Sequence, residues 1–324
     1  MIITKTPLRV SFFGGGSDIP QFYKNNRGLV ISTTIDRPIY IAVHGTQTPH
    51  TKVMYSEIEF VEDSHHLKHD RVREVLQYYG ISNHLEIASF SDIPTKGTGL
   101  GSSSTFTVGL LKAINEMLGI QYNNYELAEL ACHIEIDKCN QPIGKQDQYA
   151  AAFGGFNAIT FEGNDVTVIP VNITTDVASR LNDNLICFNT GITRQASSIL
   201  EDQVKGLKNV VSVGNTACMV DMAEDAFRFL IKGRLDDFGS LLGDSWNIKK
   251  KLSENISNPT IDEMYSKAMK AGALGGKILG AGGGGYLLMY VPPKSHARVI
   301  KALSSYEIFD FNFTNQGSVV EMNK

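Results

Sequence analysis

Apolar and polar residues alternate through Ile2–Phe13, and β-branched or alternating runs recur at Val30–Ile35, Ile39–His44, Val53–Val61 and Leu85–Phe90, punctuated by Gly, Pro and Asn. A period of two predicts strands. The period then lengthens. Ser102–Leu118 and Asn124–Lys138 each open on a capping residue, and Leu127, Leu130, Ala131 and Ile134 mark one buried face of the second, which predicts two helices. FNAITFE and VTVIPV return to strand patterning. Beyond the polar stretch DVASRLND the chain is rich in helical periodicity, in VDMAEDAFRFLIK, TIDEMYSKAMKAG and a run near 295–304. These alternate with the strand-like LICFNT, the glycine-bearing GKILGAGGGGYLLMYV and the alternating YEIFDFNF. The expectation is an α+β chain in two domains, residues 1–180 and 181–324, the second a helical pair on a small antiparallel sheet.

Composition narrows the class without naming a chemistry. At 324 residues, 42% hydrophobic and 20% charged, the chain has the make-up of a globular protein with one large core or two ordinary ones. A net charge of −4 gives no general attraction to nucleic acid or anionic lipid, so any phosphate-bearing ligand needs a local site. Cys132, Cys139, Cys187 and Cys218 lie in apolar or helical contexts without CxxC spacing, which reads as reduced thiols in place of a disulfide frame or zinc site. MIITKTPLRV lacks a leader pattern and no apolar run reaches membrane-span length, so a cytoplasmic protein without nucleic-acid or membrane partners is expected. His65, His66 and His69 in DSHHLKHD have no ligand pattern around them and read as loop or helix-start residues.

Candidate chemistry gathers at three glycine runs. In PTKGTGLGSSSTF, glycines at 97, 99 and 101 lead directly into a hydroxyl-rich helix start, where free N–H groups and the positive end of the helix dipole can hold a phosphate. A glycine-rich connection with serine caps would look the same. There is no GxxxxGK[ST], and no HRD and DFG pair follows. GAGGGG, Gly280–Gly285, formally fits GxGxxG but runs into the strand-like YLLMYVPP, so it reads as a turn closing on the phosphate loop or as a plain tight connection. VSFFGGGSDIP interrupts a strand with three glycines before Ser17 and Asp18, either as an ordinary turn or as room for something close. Arg9 in an apolar strand, Glu135 flanking an apolar helix face and Asp147 in KQDQ are charged residues in search of partners; a salt bridge, a cap or a surface position would satisfy each.

Together, PLRVSFFGGGSD, PTKGTGLGSSS and KILGAGGGG resemble, in order and placement, the GHMP family of small-molecule kinases. The resemblance implies an N-terminal mixed α/β domain and a C-terminal ferredoxin-like α/β domain, with the active site in the cleft between them. It implies ATP on Gly97, Thr98, Gly99, Leu100, Gly101, Ser102, Ser103 and Ser104, and Mg²⁺ on Ser103 and Glu135. Asp147 would be the catalytic base and Arg9 would stand by the transferred phosphoryl group, with Gly282, Gly283 and Gly284 as a turn nearby. Asp18, with Gly15, Gly16 and Ser17, would meet the sugar.

Gly15 and Gly16 stand where galactokinase-like members carry a glutamate and a histidine, which enlarges the pocket and deletes a negative charge. FFGGGSDIPQFY and NTGITRQAS are similar to members that phosphorylate C1 of D-glycero-D-manno-heptose 7-phosphate. The resemblance therefore implies a sugar-1-kinase with a sugar phosphate acceptor, whose own phosphate would meet Arg194 or Lys145, acting as a monomer or homodimer. A fucokinase-like enzyme, a mevalonate-type kinase and a non-catalytic sugar sensor are the alternatives.

Overall fold

β1 (Ile2–Phe13) and the 18-residue β2 (Gly28–Gly45) form the spine of a nine-stranded sheet. β2 is long enough to pair twice along one side. Its first half pairs antiparallel with β6 (Phe156–Glu162), its second half with β5 (Leu85–Phe90), while β1 runs antiparallel along the other side of both. The two strands expected at Val30–Ile35 and Ile39–His44 are thus one. Pro38 does not end it, because it faces Pro7 where the β1–β2 register slips, and neither proline has an N–H to lose from the ladder. The register slips again between Ser11 and Phe13, so the stretch from Arg9 to Ser11 lies between two irregularities. Irregularities of this kind re-aim side chains.

The computed structural model describes residues 1–93, 97–193 and 196–323. β3 (Thr51–Met54) and β4 (Ile58–Val61) are a hairpin where one strand was expected, because the Tyr55 N–H turns back to the Glu57 carbonyl. β3 lies parallel to β5, and β7 (Asp165–Pro170) pairs with β6. A second, antiparallel sheet has the order β8 (Leu185–Asn189), β10 (Tyr286–Tyr290), β9 (Gly275–Ile278).

Between the sheets runs the segment YEIFDFNF, which is not the single strand its alternation predicts. Ile308 bridges Phe188 in the small sheet, whereas β11 (Phe313–Thr314) pairs with β2 in the large one. The alternation reflects Phe309, Phe311 and Phe313, whose rings follow one another at 5.9 and 6.2 Å and pack against the core. β12 (Val319–Asn323) then pairs with the start of β1, returning the chain's last strand to the first sheet.

The helix Ser102–Leu118 lies against β1 and β2 and is buried along most of its length. Asn124–Cys132 opens on a reciprocal cap between Asn123 and Glu126 and continues as a π-helical turn, His133–Lys138, which carries Glu135. The helices Val210–Ile231 and Leu235–Lys249 pack on each other, the first also against β2 and the second against β9. A satellite core including Phe188, Trp246, Met264 and Leu287 fills the small sheet's side.

Candidate active site

Arg9 is almost fully buried, and its guanidinium grips a carboxylate as a fork. Nε and Nη2 donate to Asp147 Oδ1 and Oδ2, both at 2.8 Å, and Nη1 donates to the Gly99 carbonyl at 2.6 Å. A planar bidentate pair fixes both partners in orientation. Asp147 sits in the first turn of the helix Gln146–Phe153, where the dipole favours a negative charge. Its side chain is 23% exposed against 4% for Arg9, so the carboxylate keeps an edge open to the adjoining cavity.

The phosphate-type loop is tied to this pair and to the second glycine run. Gly101, the left-handed cap of the helix Ser102–Leu118, lies where an added Cβ would meet Asp147 Oδ2 at 3.2 Å and Arg9 Cγ at 3.3 Å. Gly99 has a φ of +75°, and a Cβ there would fall 2.3 Å from the Leu279 carbonyl oxygen; one on Gly280 would fall 2.6 Å from the Gly99 Cα. Two backbones therefore touch where side chains would have kept them apart. Each is held by a cation: Arg9 on the Gly99 carbonyl, Lys249 Nζ on the Gly280 carbonyl at 2.7 Å. Between them opens a cavity of about 530 Å³, of a size to take small ligands.

At its other end Asp18 is 2% exposed and accepts from the Gly16 N–H at 2.9 Å, the Gln146 N–H at 3.2 Å and Gln146 Nε2 at 3.1 Å. Burial raises its pKa above the usual carboxylate value, and the charge of Asp147 adds to the rise. Lys249 is buried against the same end, and burial pulls its pKa down to about 8. Behind the wall, Lys277 donates at 2.9 Å to the carbonyls of both Ser11 and Phe12, and burial holds its pKa well below the ordinary value. It ties β9 to β1 just before the glycines 14–16.

A deep cavity walled by a glycine loop, with a carboxylate aligned by an arginine, suits phosphoryl transfer. Family models match on both sides of it: GHMP kinases N terminal domain over residues 67–155, and GHMP kinases C terminal over residues 226–307. The chain is a GHMP kinase. This GHMP kinase is 34% identical, over 98% of its own length and 97% of the relative's, to the D-glycero-alpha-D-manno-heptose 7-phosphate kinase of Campylobacter jejuni. Its fold matches a D-glycero-D-manno-heptose 1-phosphate kinase from Bacteroides thetaiotaomicron over 100% of both chains, with a TM-score of 0.82 at 26% identity. It shares the fold of Lactococcus lactis galactokinase, with a TM-score of 0.76, 18% identity, and coverage of 98% and 94%. Among the described residues no helix is long and apolar enough to cross a membrane.

The cavity of this kinase is lined by Arg9, Asp147, Asp18, Gly15, Gly16, Gly97, Thr98, Gly99, Gly101, Ser102, Ser103, Ser104, Gly282 and Gly284, all expected from sequence. Five others stand elsewhere. Leu100 is fully buried, and its carbonyl accepts from the Arg9 N–H. Ser17 is spent on the sheet, exchanging hydrogen bonds with the backbone of Leu29. Gly283 donates its N–H to the Ile256 carbonyl. Lys145 turns to Glu129, at 2.9 and 3.0 Å from its two oxygens, and lines a neighbouring groove.

Glu135 is the fifth. It is fully buried, with one oxygen taken by Arg71 Nε at 2.7 Å and the other by Gln148 Nε2 at 2.6 Å, and it is Arg71 that meets the cavity. In this arrangement Ser103 and Glu135 do not fit together as a Mg²⁺ pair. Arg194 lies outside the described residues. Sequence reasoning missed Arg71, Gln146 and Lys249 on the cavity wall. For Lys249 a signal existed: Leu235, Phe238, Leu242, Trp246 and Lys249 recur at helical spacing and share the buried face.

Proposed function

We propose that this enzyme transfers the γ-phosphoryl group of ATP to the C1 hydroxyl of D-glycero-D-manno-heptose 7-phosphate, giving the 1,7-bisphosphate. The observation that carries the reading is the open-edged Asp147, locked by Arg9 at the meeting of the glycine loop and the Asp18 end. The choice of acceptor leans on the 34% identity to a heptose 7-phosphate kinase over nearly the whole chain.

The N–H groups of the loop from Gly97 and the start of the helix Ser102–Leu118 receive the ATP phosphates. Asp18 and Gln146 orient the sugar through its hydroxyls. Asp147 accepts the C1 hydroxyl proton, the freed oxygen bonds to the γ-phosphorus, and the bond to the β,γ-bridging oxygen breaks to release ADP. Arg9 keeps Asp147 in line, and its charge becomes available to the phosphoryl oxygens as Asp147 takes up the proton. A Mg²⁺ ion bound with ATP would neutralise phosphate charge, with the Ser103 hydroxyl facing it; Glu135 would join only if Arg71 moved away.

ADP release measured with heptose 7-phosphate, fucose, galactose and mevalonate tests the acceptor. The expected kcat/KM for the heptose phosphate is ~100-fold or more above the others. A preference for any other acceptor in that panel removes the heptose reading.

A further inference from the structure

We propose that Lys249 is a specificity-determining residue of the acceptor site, taking the acceptor's anionic phosphate end in the space that Gly15 leaves open. The proposal rests on the sugar phosphate reading above, and two observations on this chain carry it.

The space is real, and it is bordered by polar groups. A Cβ added to Gly15 would lie 3.6 Å from Gln146 Nε2, 3.7 Å from Lys249 Nζ and 3.8 Å from Ser11 Oγ, all ordinary contact distances. Gly15 has no left-handed φ, unlike Gly16 at +110°, so its backbone does not demand glycine. What the missing side chain leaves is a methyl's width in front of an ammonium group, continuous with the cavity that Gly15 and Lys249 both line.

The charge facing that room is unspent. Of the cations on the described wall, Arg9 is consumed by the two oxygens of Asp147, and Arg71 by Glu135 and Asp70. Lys249, 4% exposed, has a hydrogen bond to the uncharged Gly280 carbonyl and no carboxylate within ion-pair distance among the described residues. A buried ammonium without a carboxylate partner is costly to keep, and an anionic ligand is what offsets the cost. Asp18, Asp147, Arg9 and Lys277 are the charged groups around it. With its pKa lowered to about 8, Lys249 still carries its proton at neutral pH.

The experiment compares wild type, Lys249→Met and Lys249→Arg on heptose 7-phosphate and on the same heptose without its phosphate, with the KM for ATP measured alongside. Lys249→Met is expected to lose roughly 100-fold in kcat/KM for the phosphorylated acceptor, mostly through KM; releasing the Gly280 carbonyl adds a smaller loss common to ATP and the unphosphorylated acceptor, so the reading is the ratio between the two acceptors, which falls at least about tenfold. Lys249→Arg recovers part of the loss. Gly15→Glu, which places a carboxylate beside Lys249, reproduces the loss of discrimination with Lys249 intact, and it decides the matter alone if Lys249→Met fails to fold; where both fold, adding Lys249→Met to it costs little more. Equal losses on both acceptors, or a shift in the KM for ATP instead, overturn the assignment. A wild type that does not favour the phosphorylated sugar overturns the acceptor reading itself, and the Lys249 proposal with it. Discrimination present in wild type and intact in Lys249→Met overturns Lys249 alone.

Discussion

The two ends of the cavity are built from different materials. At the Gly97–Ser104 end the wall is backbone and hydroxyl, and beyond the Arg9–Asp147 pair the charged side chain on it among the described residues, Arg71, is neutralised by Glu135 and Asp70. At the Asp18 end the polar wall is side chains brought from three places in the chain, Asp18, Gln146 and Lys249, with Ser11 holding Gln146 from behind. Backbone N–H groups bind any triphosphate alike, whereas a buried carboxylate and a buried ammonium read one ligand's shape and charge. On the proposed reading the first end would be shared by kinases of unlike substrates, and the second would hold the specificity. Mutations should separate accordingly.

Asp147, where the ends meet, should give the largest effect. Asp147→Asn keeps the shape, and its amide oxygen can still accept one hydrogen bond from Arg9, but it offers no base; kcat is expected to fall ~10²–10⁴-fold in a protein that still binds ATP. Near wild-type turnover by a folded Asp147→Asn enzyme would remove the base assignment. A smaller effect, confined to the nucleotide end, is expected from Gly99→Ala. Its Cβ would strike the Leu279 carbonyl at 2.3 Å and force the two glycine runs apart, raising the KM for ATP roughly 10- to 100-fold while sparing the acceptor KM. Gly119→Ala is the control: its φ of +68° is equally left-handed but nothing lies within 4 Å, so only stability should fall, by about 1 kcal/mol. If both substitutions alter the KM for ATP equally, the contact between the glycine runs is not what shapes the nucleotide end.

The same division explains what could be read from sequence. Glycine spacing and a hydroxyl-rich helix start are local in the chain, so the glycine loop was legible, as were β1 and the helix Ser102–Leu118; Arg9, Asp18 and Asp147 share one cavity with that loop. Lys249 carried two conflicting signals, continuing the buried face of Leu235, Phe238, Leu242 and Trp246 while opening the run KKKLS, which reads as a solvated helix end; Lys249 is buried and Lys251 exposed. For Glu135 the need for a cation was readable from its helix face, but the cation that meets it, Arg71, lies 64 residues earlier in the chain and stands between it and the cavity. YEIFDFNF shows the same limit in the fold, since alternation specifies burial on two faces and not which sheet supplies the partner.

The smallest predicted effect sharpens the contrast by titration. Lys249 attracts a phosphate only while protonated, and burial lowers its pKa from 10.5 to about 8, with Arg9 lowering it further and Asp18 and Asp147 opposing. As pH rises through about 8 in the unliganded enzyme, kcat/KM for the phosphorylated acceptor should therefore decline, by about tenfold at one unit above that pKa. The unphosphorylated acceptor should show no such limb, and Lys249→Arg should move it out of range, because a guanidinium stays charged. The folding balance runs the other way. A folded-state pKa below the unfolded value means that stability rises with pH between about 8 and 10.5, and that below this window burial of the charged ammonium costs its full amount. Lys249→Met should then melt higher than wild type at pH 7, by a few degrees, while binding the sugar phosphate worse. An alkaline limb shared by both acceptors would place the titrating group in the chemistry they have in common, and the specificity of the Asp18 end would need another cation.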